Sequence, residues 1–510
     1  MKGAILVGGT GSDVGKSIIV AGLCRWLARA GVKVAPFKAQ NMALNSTVTP
    51  DGGEIGRAQA AQAAAAGVAP EVAMNPVLIK PTGERHSQVV IMGRPGFDAS
   101  ARSYRDHVAE LLPVVLEAFA DLSARFDVIV CEGAGSIAEM NLRRSDLANL
   151  GLARALDLPV VVVGDIDRGG VFAALYGSLA LLEAADQAHV AGFIVNRFRG
   201  DGTILGSGLK QLGALTGRPV LGVLPHHDGL WLDAEDSLTL DAAGWDRGGA
   251  AAPEGLDVVV VRLPRISNFT DVDALAVEPG VALRFSTSPT AVARADLAIV
   301  PGSKATVSDL QWLRRSGIAH ALAARGAAGG PVLGICGGYQ MLGRRIVDQV
   351  ESGVGEVQGI GLLPVETHFD ASKHLARTMG VCPLLGWVDA TGYEIHHGRT
   401  SVAADSPFLV SIDGSPEGCV AGSVIGTSWH GLLESDALRR ALLAWVAEKT
   451  GRDWRGGLRP FAAVREERLD RLGDLVTANL DTEAVATLIE RGAARDLPII
   501  PPAGAPEVGR

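Results

Sequence analysis

The chain has 510 residues, too many for one hydrophobic core, so two or more domains are expected. Its formal charge of −9 is spread without a long basic run, which argues against nucleic acid as the main partner. No run reaches the ~18 consecutive apolar residues of a membrane span, no secretory leader is expected, and the five cysteines form no CxxC pair, against a disulfide framework or zinc site, so the chain reads as soluble and cytoplasmic.

In chain order, apolar runs at 4–8 (AILVG), 32–37 (VKVAPF), 127–133 (DVIVCEG), 159–165 (PVVVVGD), 190–196 (VAGFIVN) and 219–225 (PVLGVLP) read as strands. Helical stretches at 16–30, 102–122, 147–157 and 205–216 lie between them. Continuous Val/Ile runs, rather than alternating ones, mean strands buried on both faces, hence an α/β domain with a mainly parallel sheet. This domain is assigned to residues 1–247, followed by a Gly/Ala/Pro-rich linker at 248–256. A second α/β pattern covers 257–447, with strands at 257–264, 295–302, 331–338 and 424–431 and a helix over 434–449. Residues 448–510 read as a charged helical tail, whose amphipathic REERLDRLGDLVTANLD segment should pack on one domain.

The first strand runs into GGTGSDVGKS at residues 8–17. A strand, a glycine-rich turn through Gly9, Thr10, Gly11 and Gly15, and then a helix aim backbone N–H groups and a helix N-terminus at phosphate oxygens. Lys16 would neutralise phosphate charge and the Ser17 hydroxyl would meet Mg²⁺. Five residues, not the usual four, separate Gly9 from Gly15. Lys38 ends the second strand, where α/β ligand sites gather. Glu132 ends the third, where a metal-binding carboxylate belongs, and Asp165 and Asp167 are weaker candidates beyond the fourth. The Gly-Thr-x-x-x-Val-Gly-Lys-Ser spacing resembles the dethiobiotin-synthetase-like P-loop proteins, which phosphorylate carboxylates; the resemblance implies ATP and a carboxylate substrate.

GICGGYQ at 334–340 places Cys336 between glycines at a strand-to-helix switch. Such an elbow exposes the side chain, the following helix favours the thiolate, and Gly337 offers an N–H to an oxyanion. A thiol nucleophile needs a base; His430 in GTSWHGLLES is the first candidate, with His396 and His397 as rivals. The pattern resembles class I glutamine amidotransferases, which release ammonia from glutamine. That family often carries Glu two residues beyond the His; Leu432 stands there, which leaves Glu434 as the candidate third member. PGSKAT at 301–306 resembles the family's other oxyanion loop, with Gly302 or Ser303 as the N–H donor.

An ATP site that activates carboxylates, joined to an ammonia source, implies an amide synthetase. Strings along the chain, among them PFKAQNMALNSTVTPDGGEIGRAQ (36–59), MNPVLIKP (74–81), EGAGSIAEMNL (132–142), GDIDRGGVFA (164–173), PGSKATVSDL (301–310) and GICGGYQMLG (334–343), are similar to the cobyric acid synthase family. The resemblance implies amidation of the b, d, e and g carboxylates of adenosylcobyrinic acid a,c-diamide, with ATP, Mg²⁺ and glutamine. It places Cys336 as nucleophile and His430 as base, Lys16, Ser17 and Lys38 on phosphate and Mg²⁺, and Glu132 on the metal. Asp146 falls in a stretch expected near the corrinoid, with a helix N-cap as its alternative. Gln40, Asn41 and Asn45 form an uncharged polar loop suited to amides and carboxylates, with a surface Asx-turn loop as theirs. Two other readings stay open: the sister enzyme that amidates the a and c carboxylates, and a regulatory P-loop ATPase with an inactive amidotransferase-like module.

Overall fold

The computed structural model describes residues 1–83, 86–227, 246–247, 255–402 and 406–504. Residues 248–254 of the expected linker, and 228–245 of the expected first domain, lie outside them.

In the first half, β1 (Gly3–Gly9) leads into α1 (Lys16–Arg29), β2 (Val34–Phe37), β3 (Gln40–Met42), β4 (Ser46–Val48), β5 (Glu54–Gly56), α2 (Arg57–Ala65) and β6 (Val77–Pro81). Next come β7 (Ser87–Ile91), β8 (Arg94–Ala99), α3 (Ala101–Arg125), β9 (Val128–Glu132), α4 (Leu150–Leu156), β10 (Val160–Asp165), β11 (Val190–Phe198) and β12 (Val220–Pro225). The sheet order β12-β11-β10-β1-β9-β2 is parallel throughout and uses the six apolar runs read from the sequence.

Both faces of this sheet are covered, which is why the runs do not alternate. Leu6, Val160, Val162 and Phe193 face a core shared with Leu111 and Val115 of α3 and Leu150 of α4. Ile5, Val7, Val161 and Ile194 face α1 on the other side. A second sheet, β3-β6-β7-β8, and the β4–β5 hairpin hang beside it. The sequence reading had no element there, because these strands are short and partly polar.

The second half carries β13 (Leu256–Val261), β14 (Val281–Ser286), β15 (Leu297–Val300), β16 (Val332–Ile335), α5 (Gly337–Leu342), β17 (Val365–Cys382), β18 (Val388–Val402), β19 (Cys419–Ala421), β20 (Val424–Thr427) and α6 (Asp436–Thr450). Strands β14-β13-β15-β16-β20 run parallel, with β19 antiparallel at one edge and residues 246–247 at the other. The long antiparallel pair β17–β18 was not foreseen; its polar, half-exposed residues give no core signal.

The tail forms α7 (Phe461–Asn479) and α8 (Thr482–Arg491). Helix α7 lies on α1 through Leu472 and Val476, with Arg25–Asp470 and Arg29–Asp474 ion pairs at 2.8 and 2.6 Å. A Cβ on Gly22 would stand 2.8 Å from the Leu472 carbonyl oxygen, so glycine sets how closely these helices approach. Among the described residues, no helix is long and apolar enough to cross a membrane.

The halves meet through the β3–β4 connection. The Ser46 N–H donates to Asn268 Oδ1 at 3.0 Å, and the Phe269 N–H donates to Asn45 Oδ1 at 3.1 Å.

Candidate active site

The strand-end loop of β1 is shaped by one backbone requirement. Gly15 has φ 97°, and a Cβ there would fall 2.1 Å from Asn196 Nδ2, so only glycine fits. The Lys16 ammonium spans the loop, donating to the carbonyls of Gly11 at 2.8 Å and Gly135 at 3.0 Å. It thereby ties the turn of Gly9, Thr10 and Gly11 to the segment after β9.

Glu132, 1% exposed, is the hub beneath it. Its Oε1 accepts from Ser17 Oγ at 2.8 Å and Lys38 Nζ at 2.9 Å, and its Oε2 accepts from Gln62 Nε2 at 2.5 Å. Burial alone would raise its pKa; the Lys38 ammonium, the Gln62 hydrogen bond and Lys16 overcome that and hold it below the usual carboxylate range. The Ser17 hydroxyl and the Glu132 carboxylate are adjacent hard oxygen donors, and Mg²⁺ takes few protein ligands beside phosphate and water, so the pair fits that ion. Among the described residues, no group of three or more His, Cys, Asp or Glu could hold a metal. Asp165 and Asp167 instead accept from Arg197 and Arg199, each at 2.8 Å.

A cleft of about 430 Å³ opens beside this loop. Gln40, Tyr104, Ser136, Arg143 and Asp146 are among its lining residues, and the Tyr104 hydroxyl donates to Gln40 Oε1 at 2.6 Å. Asp146 lines the cleft, but its carboxylate is occupied by backbone. Its Oδ1 accepts from the N–H groups of Ala148 and Asn149, and its Oδ2 accepts from Gly151, at 2.8–3.0 Å. The helix itself begins at Leu150 with Asn149 as its N-cap, so Asp146 braces the turn ahead of the helix rather than capping it.

Two loop residues lie elsewhere than expected. Asn41 is buried and donates to Gln59 Oε1 at 2.7 Å; Asn45 sits in the domain junction, bonded to Phe269. Neither lines the cleft. Of the three loop residues, Asn45 is the one whose polar side chain bonds across the halves.

In the second half, Cys336 has φ 49° and ψ −108° between β16 and α5, a conformation that costs energy for any non-glycine residue. A Cβ on Gly338 would stand 1.9 Å from the Val300 carbonyl oxygen, so the tight elbow needs its glycine. On Gly337 a Cβ would come within 2.8 Å of the Ser303 nitrogen, so the elbow packs directly against the backbone of the 301–306 loop. Gly302 abuts the imidazole: a Cβ there would lie 3.0 Å from His430 Cε1. Its carbonyl accepts from the Ser267 N–H at 2.9 Å.

His430 is fully buried, with Nδ1 2.7 Å from Asp271 Oδ2, while Asp271 Oδ1 accepts the Gly431 N–H at 2.8 Å. Cys336 lines the same small cavity as the imidazole. Burial disfavours the imidazolium, but Asp271 and then Cys336 outweigh it and push the pKa up to about 10. The Tyr393 ring stacks on the imidazole with centroids 5.5 Å apart.

Glu434 does not reach His430. Its oxygens take Arg57 and Arg465, the latter at 3.3 Å, so it joins the first half to the tail. Asp271 holds the place expected for Glu434. Its one sequence signal is the apolar context of FTDVDALA, where a carboxylate must be buried and therefore partnered. His396 contacts Glu394 at 3.2 Å and His397 the Asp370 carbonyl at 3.0 Å; neither is arranged as the base.

Residues 5–240 match the CobQ/CobB/MinD/ParA nucleotide binding domain, and residues 257–438 match the CobB/CobQ-like glutamine amidotransferase domain. Fold and matches together define a glutamine-dependent amide ligase. A cobyric acid synthase of Frankia casuarinae is 57% identical over 98% of this chain and 99% of its own length. One of Streptomyces coelicolor is 55% identical over 99% of this chain and 100% of its own. A solved glutamine amidotransferase aligns with 39% of this chain and 100% of its own at 18% identity, with a TM-score of 0.30. The chain belongs to the cobyric acid synthase family.

Proposed function

We propose that the protein amidates the b, d, e and g carboxylates of adenosylcobyrinic acid a,c-diamide to give adenosylcobyric acid, using ATP and glutamine. The observation that carries this reading is the pairing, in one chain, of a Cys336–His430–Asp271 relay with a phosphate loop beside a 430 Å³ cleft. A corrinoid carboxylate in that cleft attacks the γ-phosphate of ATP. Lys16 and Lys38 offset the charge as the β,γ-phosphoanhydride bond breaks, and the products are an acyl phosphate and ADP. Mg²⁺, held by Ser17 and Glu132, would screen the phosphate oxygens.

At the other site Cys336 Sγ attacks the glutamine amide carbon. The N–H groups of Gly337 and Ser303 stabilise the oxyanion, and Gly302 keeps space beside His430. His430 delivers a proton to the departing ammonia, and Asp271 holds its tautomer through Nδ1. Water then hydrolyses the thioester to glutamate. Ammonia displaces phosphate from the acyl phosphate, forming the amide.

Gln40 and Tyr104 are the proposed polar contacts to corrinoid amides or carboxylates, with Asp146 shaping the adjoining turn. Mass spectrometry of corrinoid incubated with glutamine and ATP–Mg²⁺ tests the reading. Each OH-to-NH₂ exchange lowers the mass by about one unit, and the series should end after four steps starting from the a,c-diamide. Amidation confined to the a and c positions of cobyrinic acid would support the sister enzyme instead.

A further inference from the structure

Strand β6 is a partition. Successive side chains of a strand face opposite sides. Ile79 and Pro81 line the 430 Å³ cleft, whereas Lys80 between them lines a cavity of about 40 Å³ that also holds Cys336 and His430. Nitrogen released at Cys336 is therefore one strand away from the space where a carboxylate would be activated.

Lys80 is bound into a dry ionic cluster. Its ammonium donates to Ser46 Oγ at 2.8 Å and to Glu54 Oε1. Glu54 is 0% exposed, and its Oε2 accepts from Lys373 Nζ at 2.5 Å. Lys80 and Glu54 come from the nucleotide-binding half and Lys373 from the amidotransferase half, so the cluster exists only when the halves are docked. Desolvation largely offsets the Coulomb gain of such groups, so stability alone does not explain three buried charges at this junction. Burial brings Lys373 down to about 8, and Glu54 is what favours its charge.

Two physical consequences bear on ammonia. A lining that carries lysine ammonium groups disfavours ammonium ion and tolerates the neutral, nucleophilic base. The cluster is also joined to the glutaminase machinery through Ser46, whose N–H donates to Asn268 Oδ1 and whose carbonyl accepts from the Tyr393 hydroxyl at 3.1 Å. Tyr393 is the ring stacked on His430.

We propose that Lys80 is the gate for ammonia passing from the Cys336 cavity to the cleft, held shut by Glu54 and Lys373 and opened when a substrate presses on Ile79 and Pro81. This rests on the roles proposed above for the two sites. No bond changes at the gate; its effect is to delay ammonia until the acyl phosphate is present.

The test compares full-length wild type with Lys80→Ala and Lys80→Arg in glutamine, ATP–Mg²⁺ and corrinoid diamide, counting glutamate released per amide formed. Lys80→Ala should raise that ratio severalfold while amidation with ammonium chloride in place of glutamine is unchanged, and Lys80→Arg should restore coupling. Lys373→Met, which leaves β6 untouched, should uncouple in the same direction. A wild-type ratio in both Lys80→Ala and Lys373→Met overturns the gate. So does loss of ammonium-supported amidation in Lys80→Ala, because Lys80 would then belong to the amidation chemistry. Failure of the wild type to amidate even with ammonium would instead strike the proposed function.

Discussion

Asp271 and His430, 159 residues apart in the chain, meet at 2.7 Å between Oδ2 and Nδ1, and the next residue's N–H closes on the other carboxylate oxygen. This arrangement leaves the remaining imidazole nitrogen for Cys336. Asp271→Asn should lower glutamine hydrolysis on the order of 10²- to 10⁴-fold by disturbing the tautomer. Amidation supported by ammonium salts should be untouched, and steady-state assays with each nitrogen source check both.

Glu434 pairs with Arg57 and Arg465 and is 27% exposed. Glu434→Gln should therefore leave the rate of glutamine hydrolysis essentially at wild type. Partly exposed pairs contribute little, so thermal unfolding should shift by roughly 1–3 °C. A hydrolysis defect as deep as that of Asp271→Asn would contradict the placement.

Lys16 bridges the carbonyls of Gly11 and Gly135, and the proposed reading gives it the phosphates. Lys16→Met should lower corrinoid-dependent ATP cleavage on the order of 10²-fold or more. Glutaminase turnover without corrinoid should persist. A phosphate-release assay beside a glutamate assay separates the two.

Glu417, half-buried near the strand that leads to His430, accepts from Thr427 Oγ1 at 2.8 Å and the Ser428 N–H at 2.6 Å. Burial pushes its pKa up to about 7 from 4.5, which those hydrogen bonds only partly oppose. A group raised on folding contributes stability present below its unfolded pKa and lost as pH climbs through its folded one. Stability should thus decline between about pH 4.5 and 7 by at most roughly 3–4 kcal/mol from this residue. Glu417→Gln should flatten that slope in denaturant titrations at a series of pH values.

The parallel sheets were legible because strands buried on both faces must be continuous apolar runs, as Val160–Val163 and Val258–Val261 are. The phosphate loop and the Cys336 elbow were legible because glycine is demanded at fixed offsets from the reactive side chain. Asp271 was not, since it meets His430 only through tertiary structure and no local spacing marks it. The loop from Gln40 to Asn45 was read as one polar surface, whereas Gln40 faces the cleft and Asn45 the other domain. Short strands such as Gln40–Met42, and the polar hairpin carrying Lys373 and His396, lack the periodicity that a sequence reading needs.

The most direct measurement follows nitrogen. Glutamine labelled with ¹⁵N in its amide is supplied with ATP–Mg²⁺ and the corrinoid diamide, in the presence of excess unlabelled ammonium at a pH where free ammonia is scarce. The account predicts that every new corrinoid amide carries ¹⁵N. Amides bearing the isotopic composition of the bulk ammonium, with glutamine left intact, would contradict it.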